Sequence, residues 1–505
     1  MKIIAEQLDL RRELTVVVGN VDYEEFLSRL EWVDMMLRVS GLEAEFVEML
    51  LEEYERAGME EALRSGHEYR PLSGKEQKRY QKMCRKALRC NIARQLTEKE
   101  YRPFSRRLAE SALLQKFCLI DRLEEIRVPT KSTLERYDKL AAEKEVRALV
   151  NQLNCLAMKE IPEVGTVLGL EKSLDLDAYF SDTTCVKANI HFPVDWVLLR
   201  DGVKTLIKSI LVIRRHGLKH RMPEPEGFIR GINRLSIEMT HARRKEDSKK
   251  VRKRILRKMK KLSRLVRLHA TRYHDALERR WKETDLKEGE KRQILKRLNS
   301  IIKQLPAAIK QAHERIIGER KVENSEKILS LYDPDIHVIV RKKAEAEVEF
   351  GNTLFLGEQR NGLVIDWKLL RDQSPGDPKL LRESMARIHG VFGQYPNKAC
   401  GDRGFQSQDN GTWLKKEGIY DGLCPRNPHE LKMRMKDEDF SELQKRRGQT
   451  EGRIGILKND FLGRPLRSKG FEHRELAVAW AVLAHNLWLI AGLAMMADKE
   501  KKKAA

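Results

Sequence analysis

No proline interrupts the chain between Pro225 and Pro306, and the segment is dense in charge. Residues 241–270 carry 14 Lys and Arg against two acidic residues. In HARRKEDSKKVRKRILRKMKKLSRLVRLHA, Ile255, Met259, Leu262, Leu265, Val266 and Leu268 recur at mostly helical spacing. That pattern predicts a long basic amphipathic helix. A mixed-sign face is the usual solvated pattern, whereas a nearly pure positive block repels itself unless an anion neutralises it. DNA phosphate is therefore the favoured partner of this helix, over a solvated coiled-coil face. Arg252, Lys253, Arg254, Arg257 and Lys258 are the expected contacts.

The whole chain points the same way. Its 505 residues hold 99 Lys and Arg against 76 Asp and Glu, a formal charge of +23. Such a surplus draws in polyanions. Hydrophobic residues make up 41%, enough for real cores, so a mostly apolar membrane protein, a collagenous chain and wholesale disorder are excluded. The seven cysteines form no C-x-x-C pair, which disfavours a zinc ribbon, a redox motif and a disulfide framework. His216 and His220 lack acidic or Cys partners nearby and read as phosphate contacts or solvated residues. The N-terminus, MKIIAEQLDLRREL, has no apolar signal-peptide core. Leu476–Ala494 has no charge and a length that just spans a bilayer. With His485 and Asn486 at its centre it reads instead as a buried core helix, so no membrane is expected.

Length alone suggests about three domains. Residues 1–150 read as a helical, DNA-binding N-terminal region with a basic stretch at Lys75–Gln95. A helix-turn-helix is expected near 105–140, where Val128-Pro129-Thr130 breaks one helix and Thr130 or Ser132 can cap the next. AYFSDTTCV reads as a strand, and Trp196–Ile213 as helix. From 337 onward the order is two strands, helix, strand, helix, strand, helix, helix, with a turn at Gln359–Gly362. The expected divisions are an α/β core from 170–215 and 330–495, a basic helical insertion at 216–329, and a basic tail at 496–505.

Phosphoryl transfer on DNA calls for carboxylates at converging element ends, because two divalent ions can activate the nucleophile and stabilise the leaving oxygen. Asp182 closes AYFSD and Asp402 closes KACGD, where Gly404 follows. Asp195, Asp201, Asp366 and Asp409 compete, and an Asp at a strand end is often only a turn former. The third acid is better specified. In SELQKRRGQTEGRIGILKNDF, a helix puts Gln444, Arg447, Glu451 and Lys458 within about 60° of one another. A carboxylate flanked by Arg and Lys suits a metal ligand between phosphate clamps. An ordinary Arg–Glu pair is the plainer alternative. Gly448, Gly452 and Gly455 count against it, since each costs about 1 kcal/mol relative to Ala unless a backbone, protein or DNA, approaches there.

These residues resemble the bacterial insertion-sequence transposases of the DDE type. Their last catalytic helix carries Y-x2-R-x3-E-x6-K. Arg447-x3-Glu451-x6-Lys458 fits, and Gln444 stands where the Tyr would be. SDTTCVKANIHFPVDWVLLRDG, GDRGF and the Arg467–Gly470 RSKG are similar to the blocks around the first Asp, the second Asp and the C-terminal end. The resemblance implies an RNase H-like mixed-sheet catalytic core. In it Asp182, Asp402 and Glu451 hold two Mg²⁺, with Mn²⁺ the alternative ion, and Gln444, Arg447 and Lys458 contact DNA. It implies hydrolytic nicking at transposon ends, then attack by the 3′-OH on target DNA, by a homodimer or higher oligomer on double-stranded DNA in the bacterial cytoplasm, associated with the nucleoid. One departure stands out. Many relatives insert a β-rich domain between the second Asp and the Glu, whereas here the extra mass lies between Asp182 and Asp402 and is helical. The alternatives are an RNase H-like nuclease without strand transfer and a non-catalytic DNA-binding protein derived from a transposase.

Overall fold

The computed structural model describes residues 19–504 except 123–124, 163–164, 243, 245, 344–345 and 464. The N-terminal segment read for a signal peptide lies outside the described residues.

Seven helices lead. They are α1 (Val21–Val39), α2 (Leu42–Ser65), α3 (Gly74–Leu96), α4 (Tyr101–Glu110), α5 (Ala112–Phe117), α6 (Lys131–Asp138) and α7 (Glu143–Met158). Local chemistry sets their starts. Ser73 and Glu76 form a reciprocal capping box at α3, and Thr130 caps α6 by accepting from Thr133 N. Around the expected helix-turn-helix, α5 and α6 are joined by all of residues 118–130, far more than the three- or four-residue turn of that motif.

The sheet has six strands: β1 (Ala178–Lys187), β2 (His337–Lys343), β3 (Ala346–Gln359), β4 (Val364–Leu369), β5 (Lys398–Gly401) and β6 (Tyr420–Leu423). Its order is β2-β3-β1-β5-β6, with β4 also pairing β3. β1 runs antiparallel to β3 and parallel to β5, and β5 runs parallel to β6. The expected mixed sheet is present, but the 337–370 stretch makes three strands rather than two. The predicted turn holds: Gly362 N donates to Gln359 O at 2.9 Å, with φ +93° at Gly362.

Between β1 and β2 stand α8 (Asp195–Arg215), α9 (Pro225–Ala242), α10 (Ser248–Arg280) and α11 (Glu288–Ala312). They share an apolar core whose members all fall within 194–331, among them Leu199, Leu206, Ile232, Met259, Val266 and Ile301. The insertion therefore takes in α8, which the sequence reading left with the sheet. The apolar face of α8 is turned to α9–α11 rather than to a strand.

After the sheet's central strands come α12 (Asp377–Phe392), α13 (Gln408–Lys416), α14 (Pro428–Arg434), α15 (Glu438–Ile456) and α16 (Phe471–Ala504). By length and composition α16 could cross a membrane, but 83% of its most apolar window is buried inside the protein. It packs against α1, α3 and α7 and joins the N-terminal helices and the sheet in one continuous core. Residues 496–504 continue this helix.

Candidate active site

Strand pairing decides where the first two acids fall. In the parallel β1–β5 pair, Ser181 stands opposite Gly401, where β5 ends. Asp182 and Asp402 are the next residue on each chain, so they leave the same end of two neighbouring strands. β1 does not stop at Asp182 as the sequence suggested. It runs on to Lys187, paired only with β3, until Leu466 N donates to Lys187 O at 3.1 Å.

Alternation along β1 fixes the face. Tyr179 reaches α12, its hydroxyl 2.6 Å from Ser384 Oγ. Phe180 lies under α15, packed on Leu443 and Cys400, with the Arg446 guanidinium 4.6 Å from its ring centroid. Thr184 Oγ1 accepts from Lys458 Nζ at 3.0 Å. Asp182 lies between Phe180 and Thr184 and so shares the α15 face. Its Oδ1 accepts from Thr183 N at 2.7 Å.

α15 is clamped over this face. Arg446 donates to Glu358 at 3.0 Å and to Arg360 O at 2.8 Å, and Thr450 donates to the same Glu358 oxygen at 2.8 Å. The Arg446–Glu358 pair is nearly buried, with side chains 10% and 7% exposed. At Gly362 a Cβ would collide with the Arg453 guanidinium, so glycine lets α15 sit on the turn. Glu451 is exposed on this helix, two turns from Gln444 and two from Lys458, both of which touch the sheet.

Two expected DNA contacts are engaged within the protein. Gln444 Nε2 donates to Gly422 O at 2.7 Å, and its Oε1 accepts from Arg447 Nε at 3.0 Å. The amide that was expected to meet phosphate instead holds Arg447. Lys458 is 8% exposed. Burial pushes the nearby Cys400 thiol up to about 12, which keeps it neutral.

Other expectations fare differently. A Cβ at Gly448, Gly452 or Gly455 would meet nothing within 4 Å, so no protein backbone explains these glycines. Asp366 is buried on the opposite face, bound by Ser384 at 2.5 Å and by Arg387 at 2.6 and 2.9 Å. Asp195 is bound by Gln311 and Arg315 inside the bundle, and Asp201 pairs with Arg200. The sequence reading missed Asp377. A Cβ at Gly404 would lie 2.5 Å from Asp377 Oδ2 and 2.9 Å from Asp402 Oδ1, so the two carboxylates flank that glycine. The Gly-Asp-Pro start of α12 was its only signal.

Among the described residues, the three potential ligand groups lying within 4.8 Å of one another are His274, Asp275 and Glu278 on α10. Asp182, Asp402 and Glu451 are not drawn together that tightly. Of the basic residues expected on α10, Arg254, Arg257 and Lys258 are exposed. Lys253 pairs with Glu319 at 2.8 Å, and Arg252 lies over the Trp196 ring at 5.6 Å.

Residues 356–487 match the family described as the transposase DDE domain. The match takes in Asp402 and Glu451 and begins after Asp182. No curated protein and no solved structure matches the chain.

Proposed function

We propose, from the premise that this is a DDE transposase of the insertion-sequence kind, that Asp182, Asp402 and Glu451 are its catalytic carboxylates. The enzyme would nick DNA at the ends of its element and join the freed 3′-OH to target DNA. One observation carries the assignment. The parallel register of β1 and β5 pairs Ser181 with Gly401, so Asp182 and Asp402 follow at the same end of neighbouring strands, which supports the pairing of these two acids. The mixed sheet agrees with an RNase H-like core.

The donor set suits hard divalent ions. It is three carboxylates without thiolate or imidazole, which favours Mg²⁺ or Mn²⁺ over zinc. Bound there, the ions would activate the attacking water or 3′-OH and offset charge on the leaving oxygen. Lys458, fixed by Thr184, and Arg447, fixed by Gln444, would orient the scissile phosphate. An arginine held at Nε still offers its terminal nitrogens to phosphate oxygens. Joining two ends needs at least two such sites, so the working form would be an oligomer of this chain on DNA, in the cytoplasm with the chromosome.

The test is Glu451→Gln, assayed on duplex carrying the element's ends. Cleavage with Mg²⁺ should fall by about a hundredfold or more, since even partners behind a metal ligand are worth 10–100-fold. DNA affinity should persist. Unchanged cleavage would remove Glu451 from the site. Pre-cleaved ends that never join a plasmid target would leave a nuclease.

A further inference from the structure

Helix α10 carries a continuous basic stripe. Lys249, Lys253, Arg257, Lys260, Arg264 and Arg267 follow one another at steps of three and four, so they share one face. That face meets α11 running the other way. Lys253 reaches Glu319, Lys260 Nζ lies 2.8 Å from His313 Nδ1, and Arg267 Nε donates to Ile302 O at 3.0 Å. Between the helices is a groove of about 550 Å³, lined by Lys260, Arg264, Arg267, Lys310, His313 and the apolar Pro306 and Ile309. Among the described residues, no carboxylate lines it.

Pro306 explains how one arm of the groove is held. It sits inside α11 and has no N–H, so the carbonyl four residues back, Ile302, loses its helical donor. Arg267 fills that vacancy from the other helix through Nε. Its guanidinium is thereby held at the groove through Nε, which leaves terminal N–H donors for a ligand. Burial first, and then Arg264, push the Lys260 ammonium below its ordinary value. Glu314 pulls the other way, but less strongly. At the other end of the stripe Glu319 neutralises Lys249 and Lys253. The groove-facing part runs from Arg257 to Arg267, about 15 Å at 1.5 Å per residue. That length matches about four phosphates of one strand at 3.4 Å of duplex axis each.

The geometry points to this α10–α11 groove as a non-catalytic site that grips the phosphate backbone of duplex DNA, with Arg264, Arg267 and Lys310 as its principal contacts. The inference rests on the transposase reading and adds to it a defined holding surface, remote in sequence from the three acids.

The experiment uses the full chain and a fluorescent duplex. Binding is measured over a range of salt for wild type and for Arg264→Gln/Arg267→Gln/Lys310→Gln. Each lost phosphate contact removes about 0.9 from the slope of log K against log salt, so the triple variant should lose about 2 to 3. Arg264→Gln/Lys310→Gln touches no backbone partner of Arg267. It should lose about 2 by the same rule, even if the triple variant folds poorly. Arg230→Gln/Arg234→Gln on α9 is the control and should leave the slope alone. An unchanged slope in both groove variants, with wild-type cleavage intact, would overturn the groove and leave the transposase reading standing. Inorganic phosphate that raises the melting temperature of wild type but not of the double variant, with equal slopes, would assign the groove to a small phosphorylated ligand and overturn the DNA proposal. A wild-type chain that bound no duplex would overturn both.

Discussion

Asn486 sits fully buried in the middle of α16, the one helix apolar enough to be mistaken for a membrane span. Its side chain mimics a strand partner. Nδ2 donates to Val364 O at 2.8 Å, and Oδ1 accepts from Val364 N at 3.1 Å, completing the start of β4. Asn486→Leu should strip both groups of their partner. Val364 O keeps Asn154, so the stranded N–H dominates, and the loss should be about 1–3 kcal/mol, read from a urea midpoint. A loss below a few tenths would mean that water replaces the amide. The neighbouring His485 is also buried, and burial holds its imidazole below its ordinary pKa. The unfolded chain therefore binds a proton that the native chain refuses. Its contribution is fully present above the unfolded pKa and is lost as pH falls below about 6.5. Replacing His485 with Gln should flatten the fall of melting temperature between neutral and mildly acid pH. An unchanged pH profile would show that His485 is not responsible. Chemistry of this kind is legible in a sequence only as an anomaly, two polar residues in an apolar run. The partner Val364 lies over a hundred residues away, and only the fold identifies it.

At the scale of elements, Pro306 is the position where a single substitution should strengthen the protein. Its ring is exposed, and an alanine there would return an N–H to Ile302 O. An interior proline costs about 3 kcal/mol, but Arg267 already serves that carbonyl, so Pro306→Ala should add about 1–2 kcal/mol. An unchanged or lowered urea midpoint would show that the helix had adapted fully to the ring. Helices of this sort were readable because period and capping are local. The basic α10 face and the Thr130 cap follow from spacing alone, whereas Lys458 lies past the end of α15 in a π-helical turn, Leu457–Leu462, that spacing did not foretell. Three features were not readable, for the same reason in each case. Asp182 lies mid-strand, because β1 continues where its parallel neighbour stops, and only pairing shows that. α8 belongs to the bundle, because an apolar helix face does not say which neighbour will cover it. Gln444 faces inward on Gly422, because a polar residue on a catalytic stripe can as well bond the sheet as the substrate. Among the described residues, nothing lies within 4 Å of an added Cβ at Gly448, Gly452 or Gly455.

The molecule as a whole has two bodies of apolar packing joined by the chain on either side of the insertion. One holds the N-terminal helices, the sheet and α16, and the other is α8–α11. That division was half visible, since the composition changes sharply at the proline-free segment while nothing in it marks the start of α8. It has a consequence for how the enzyme could be built. Asp195 is bound within the bundle by Gln311 and Arg315, and Tyr332 returns to Thr205 at 2.7 Å, so the polar ties of the bundle close on themselves as far as Tyr332, whereas Asp333 is held by Arg474 of α16 at 3.1 Å. At the sheet end, Ala188 and Ile336 share a small apolar cluster, which brings the two exits of the insertion together. A segment with its own core and adjacent ends has the anatomy of an inserted domain. Residues 193–332 expressed alone should therefore be helical, melt in one cooperative transition and bind duplex with a steep salt dependence. Joining 192 to 333 through a short glycine linker, which keeps Asp333 on the buried Arg474, should leave α15 clamped to the sheet and Mg²⁺-dependent cleavage detectable, with affinity for duplex much reduced. A non-cooperative melt of the isolated segment would mean that the bundle leans on the sheet for its stability. Full affinity in the excised enzyme would mean that the α3 face, lined by Lys75, Lys78, Arg79 and Lys82, does the holding instead.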